Sequence, residues 1–112
     1  MKPWREASDA QLRRAAAERV MGWVEASVPV SEDGYERVWG RDGRPVVAQR
    51  DWLLGWNRNE LARVVLAASE RFGPIAASIR EDQSVWGMAL RDPRAALVLL
   101  LELLFPEGMN DA

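Results

Sequence analysis

The chain has 112 residues, 48% of them hydrophobic and 29% charged, with a formal charge of −2 from 15 basic and 17 acidic side chains. That is the length of one ordinary domain with enough apolar content for a core of its own, and it argues against a disordered chain. Cysteine and histidine are absent, which removes disulfides, thiolate and imidazole catalysis, and the usual ligands of zinc.

Other chemistries lose their residues too. Lys2 is the only lysine, so neither a phosphate-loop lysine nor a Schiff-base lysine is expected, and no glycine-rich phosphate cradle exists. Carboxylates are plentiful but form no recognisable catalytic or calcium-binding spacing. The charges are interspersed, without the basic block of a nucleic-acid binder. No signal peptide is visible, and the longest apolar run, Ala95 to Leu101, is far short of the roughly 20 residues that cross a membrane. These features predict a cytoplasmic protein without cofactor or metal, for which nucleic acid is an unfavoured partner.

In chain order, Ser8-Asp9-Ala10-Gln11 reads as a capping box that opens a first helix. Leu12, Ala16, Val20, Trp23 and Val24 form its apolar stripe, and Pro29 stops it by Val28 at the latest. Asp42-Gly43 is a turn dipeptide. It predicts a hairpin with arms Tyr35 to Gly40 and Val46 to Arg50, and with Pro45 at a strand start or edge.

Asp51 to Asn57 is a linker carrying Trp52, Leu53, Leu54 and Trp56. Asn57-Arg58-Asn59-Glu60 caps a second helix with the stripe Leu61, Val64, Val65, Ala68 and Phe72, ended by Gly73-Pro74. Pro74 to Arg80 and Ser84 to Arg91 read as a second strand pair around Glu81-Asp82-Gln83. Asp92-Pro93 opens a third helix that runs to Phe105 and stops at Pro106, with a frayed, disordered tail over 107–112. The expected fold is one α/β (α+β) domain over 1–112. Its order is helix, hairpin, helix, hairpin, helix, with a mainly antiparallel four-stranded sheet sandwiched by three helices.

Ala17-Glu18-Arg19-Val20-Met21-Gly22-Trp23 resembles the "kvmGW" segment of the phage ABA sandwich domain family. The hairpin Trp39 to Pro45, the helix segment Leu61 to Val65 and the opening Asp92-Pro93-Arg94-Ala95-Ala96 are also similar to that family. The resemblance spans roughly Leu12 to Phe105. It implies a sheet between helical layers and a phage or prophage setting, and it supplies no catalytic residue. The loop before the second helix departs from the family, which tends to carry proline with serine or threonine there.

Two surfaces stand out as candidate sites. On the third helix, at about 100° per residue, Arg94 and Glu102 fall about 80° apart with Val98 between them and Leu101 and Phe105 close by. Ala96, Leu99, Leu100, Leu103 and Leu104 point the other way. A helix apolar on nearly its whole circumference is buried on all sides. This predicts a homodimer or heteromeric protein contact centred on Val98 and Leu101, unless the segment around Trp4 folds over that face. Trp4 is the tryptophan most expected to be exposed. The second surface is the loop with Trp52, Trp56 and Asn57. It is a candidate aromatic platform for a small molecule or nucleotide, unless both rings fold inward. The preferred function is that of a non-enzymatic, phage-type accessory protein acting by protein–protein interaction on a host or defence protein.

Overall fold

In the computed structural model of the chain, the described residues are 2–32, 34–73 and 91–109. Helix α1 begins as the capping box predicts: Ser8 Oγ accepts from the Gln11 backbone and Gln11 Oε1 accepts from Ser8 N–H at 2.9 Å. It is α-helical over Asp9–Ala15 and widens into a π-helical turn over Ala16–Val20, where Met21 N–H bonds Ala16 O at 2.9 Å. The widening starts beside Trp52, whose indole N–H bonds Arg13 O at 3.0 Å. A side chain inserted at a helix backbone is a common cause of such a turn.

The helix does not reach Val28. Gly22 holds φ at 73°, a left-handed conformation open to glycine at little cost, and Trp23 N–H closes onto Ala17 O at 2.9 Å. From Val24 the chain is strand. Val24, Ala26, Val28 and Val30 alternate with Glu25, Ser27, Pro29 and Ser31, a period of two that competes with the helical stripe and wins once Gly22 breaks the helix. Among the described residues this strand lies at a sheet edge, where Pro29 is tolerated.

Strands β1 (Val24–Ser31), β2 (Gly34–Arg41) and β3 (Arg44–Ala48) form an antiparallel meander in the order β1-β2-β3. Asp42 and Gly43, with φ of 54° and 77°, make the tight turn between Arg41 and Arg44 as expected. Each edge strand carries a bulge beside a proline. Val30 is unpaired next to Pro29, and Val46 is unpaired next to Pro45. Bulges and prolines on edges oppose further strand addition.

Helix α2 (Arg58–Phe72) is capped by Asn57 and stops at Gly73; helix α3 (Pro93–Leu104) is capped by Asp92. Both match the sequence reading. The expected strands Pro74 to Arg80 and Ser84 to Arg91 lie outside the described residues, apart from Arg91, which is helical. Among the described residues the sheet therefore has three strands.

The helices cluster together and meet the sheet on one face. Trp39 is buried there, with Glu25 and Val47 as its cross-strand partners. Leu12, Val20, Leu61, Val64, Val65, Leu97, Leu100 and Leu101 fill the centre with Trp23, Trp52 and Leu53. Each fully buried aliphatic of this kind contributes about 1.5–3 kcal/mol. On the other face Val38 is 5% exposed, while Val24 on the edge strand β1 is 64% exposed.

Of the expected frayed tail 107–112, residues 107–109 are described, and they are tied down. Met109 is buried and bonds Lys2 O through its N–H at 2.9 Å, a bridge that joins the two chain ends. A backbone partner and an apolar side chain tie down residues whose polar neighbours alone would predict fraying.

Gly22 carries a second constraint. A Cβ there would lie 2.6 Å from Arg71 Nη1, the nitrogen that bonds Val20 O at 3.0 Å. Gly22→Ala should therefore cost the left-handed penalty of roughly 1–2 kcal/mol and also displace Arg71 from the helix end. Gly43→Ala, where an added Cβ meets nothing within 4 Å, should cost the backbone part alone. Urea unfolding compares them; equal costs would show that the Arg71 contact contributes nothing.

Candidate functional site

The third-helix face is occupied from within the chain. Trp4, in a short 3₁₀ turn over Trp4–Glu6, is 3% exposed rather than the most exposed tryptophan. Its indole N–H bonds Phe105 O at 2.9 Å, and its ring lies 6.4 Å from that of Phe105. Phe105 also meets Phe72 edge-on at 5.5 Å. The guanidinium of Arg19 lies 5.3 Å from the Trp4 ring and 4.9 Å from the Phe105 ring. Arg94 bonds Asp9 at 2.7 Å and Ala7 O at 3.0 Å, and Arg5 reaches Glu102 at 3.4 Å.

Of the five residues placed on an interaction surface, Leu101 has no exposure and Val98 has 9%. Phe105 is half-buried, and Arg94 and Glu102 pair with the N-terminal segment. Leu103, assigned to the inner side by the helical wheel, is 45% exposed instead. The wheel gives relative angles only. The N-terminal segment covers the face that lacked an obvious neighbour in the sequence, and this moves the buried side toward Leu97 and Leu101. A shallow groove lined by Arg5, Arg94, Ala95, Val98, Leu99 and Glu102 remains.

The Trp52 loop is not a free aromatic platform. Trp52 has no exposure and packs edge-on to Trp23 at 4.7 Å. Asn57 is occupied as the cap of α2, accepting from Glu60 N–H at 3.0 Å. Trp56 is half-buried beneath the guanidinium of Arg13 at 5.2 Å, with that of Arg94 at 6.0 Å. Leu53 and Trp56 hold φ of 56° and 53°, which costs about 1–3 kcal/mol each for such side chains. Burial of Trp52 and Leu53 offsets this, and the loop is set in one shape.

Between α1 and the sheet lies a cleft of about 270 Å³ lined by Ala10, Gln11, Arg13, Arg14, Trp39 and Gln49. Arg14 bonds Glu25 at 2.9 Å and also pairs with Glu18, while Arg37 reaches Glu25 at 3.2 Å. The Arg14 bond foremost, then a bond from the Gln49 amide and the charges of Arg14 and Arg37, hold the Glu25 carboxyl below the usual carboxylate range. Glu60 shifts the other way, raised by burial and partly held back by a backbone bond from Leu53. Among the described residues no three Asp or Glu side chains group as metal ligands, and no helix is long and apolar enough to cross a membrane.

Sequence reasoning missed one surface. On the outer face of the sheet, Ala26 and Val28 of β1 lie beside Ala48 and the buried Val38, and exposed Val24 continues the row. The Glu36–Arg50 pair, at 3.3 Å, supplies charge beside it. The alternation from Val24 to Val30 was the available signal, and the longer helical stripe obscured it.

Two outcomes follow from this geometry. Leu101→Glu should unfold the chain rather than release folded monomers from a dimer, and Trp4→Ala should cost about 3–5 kcal/mol as a buried-ring truncation. Denaturant unfolding with sedimentation checks both. Glu25, with its folded pKa lowered, adds stability that is present above the ordinary carboxyl pKa and lost as pH falls through the folded value. Glu25→Gln should therefore destabilise at neutral pH and match the wild type in strong acid, as read by urea midpoints across pH. A pH-independent difference would show that the Arg14 bond contributes no linkage.

Compared with protein-family models, curated proteins and solved structures, the chain matches none.

Proposed function

We propose that the chain is a non-enzymatic interaction protein that docks a protein partner against the outer face of its three-stranded sheet. It is the kind of accessory protein that the resemblance to the phage ABA sandwich family implies, acting in the cytoplasm of a bacterial host on a host or defence protein. The observation that carries this reading is the row of small aliphatic side chains Val24, Ala26 and Val28 along β1, with Ala48 on the same face and Val24 at 64% exposure; Val38 between them is buried. Small domains rarely leave contiguous apolar surface in water without a use for it.

The bulges and prolines on both edges favour contact through the face over addition of a strand. A second copy of the chain is one occupant of this kind, since two-fold pairing of identical patches is the commonest oligomeric contact. The third helix is a poorer choice, because its own chain already fills the side centred on Leu101.

A photo-crosslinking residue at Val24 should capture one protein of defined mass in host cells, or a second copy of the chain. The same residue at Leu66, exposed on α2, should not. Val24→Asp should abolish a binding so identified while shifting the unfolding free energy by no more than about 0.5 kcal/mol, as surface changes do. Equal, diffuse crosslinking from both positions would refute the sheet-face surface.

A further inference from the structure

We propose that the cleft between α1 and the sheet is a binding site for an oxyanion, the phosphate or carboxylate group of a small molecule, with Arg13 as its principal ligand. The site is separate from the outer face of the sheet and stands or falls independently of any protein docking there.

The cleft walls come from three places in the chain. Ala10, Gln11, Arg13 and Arg14 lie on α1, Trp39 on β2 and Gln49 just after β3. Its two charged lining residues are both arginines, and no carboxylate lines it. The two arginines are not equivalent. Arg14 is already neutralised by Glu25 and Glu18. Arg13 has no carboxylate partner among the described residues, and its buried Nε has no hydrogen-bond acceptor.

What holds Arg13 is the ring of Trp56, 5.2 Å beneath its guanidinium. Trp56 is itself held by the strained, buried loop at Leu53, and the Arg13 backbone is pinned by the Trp52 indole at 3.0 Å. Stacking orients a guanidinium without spending its donors. A planar fork of N–H groups kept in place and left unneutralised matches the two oxygens of a carboxylate or phosphate. Gln49 also lines the wall, its amide engaged with Val38 O at 3.5 Å and with the Glu25 carboxylate, so the anion contact is left to Arg13. At about 270 Å³ the cleft admits the anionic end of a ligand, below the usual size for a whole drug-sized molecule.

The test uses the full chain labelled with ¹⁵N, following the arginine Nε–Hε signals during titration with inorganic phosphate, with acetate, and with chloride at matched ionic strength. The Arg13 signal should shift saturably with one or both oxyanions and not with chloride. The tighter oxyanion then distinguishes a phosphate ligand from a carboxylate one. Arg13→Lys should weaken binding about tenfold, as loss of a charge-assisted bidentate contact does. Ala10→Glu adds a carboxylate at an exposed position on the rim and leaves the Arg13–Trp56 stack untouched; it should abolish saturation in a chain that stays folded. The proposal is overturned if neither oxyanion saturates the Arg13 signal, if chloride produces the same shift, or if Ala10→Glu binds as the wild type does.

Discussion

The backbone turns left-handed at Gly22, and the guanidinium of Arg71 closes over it to bond the carbonyls of Arg19 and Val20. This ends α1 and sends the chain back as β1. Trp23 then faces Trp52 instead of extending a helical stripe, and Val24 pairs with Gly40 at the start of the sheet. Glu25 arrives within reach of Arg14. The cleft beside Arg13 and the aliphatic outer face of the sheet both depend on this one change of direction. No side chain beyond hydrogen fits there without moving Arg71.

Two tryptophan nitrogens complete the frame. Trp52 donates to Arg13 O where α1 widens, and Trp4 donates to Phe105 O just past the end of α3. Each indole buries a large apolar ring and gives a backbone carbonyl a partner, so each satisfies the packing and the hydrogen-bond requirement of its site together. Arginines cover several of these rings. Arg13 lies over Trp56, Arg14 over Trp39, and Arg19 over Trp4 and Phe105. In a chain with a single lysine, the planar guanidinium fits this role better than an ammonium would.

Local signals in the sequence were read correctly where the physics is local. Ser8, Asn57 and Asp92 cap the three helices because a short polar side chain reaches a backbone N–H three residues on, whatever surrounds it. Asp42-Gly43 makes its turn because both residues accept positive φ. The error at Val24 arose where two periods overlap. Val20, Trp23 and Val24 continue a helical stripe, while Val24, Ala26, Val28 and Val30 begin a strand. Only the fate of Gly22 separates them, and glycine in a helix and glycine ending a helix are the same letter.

The sequence alone determined the three helix starts, the stop of α2 at Gly73, the Asp42-Gly43 turn and an inventory empty of histidine and cysteine chemistry. These depend on residues within one turn of each other. The tertiary structure alone decided which side of α3 is covered, because Trp4 and Phe105 are separated by nearly the whole chain and no spacing rule connects them. It also decided that Trp52 is core and Trp56 a support for Arg13, and that Arg14 is neutralised while Arg13 is not. Those outcomes rest on distances between α1, the sheet and the Leu53 loop, which pairing and packing set and which no local pattern encodes.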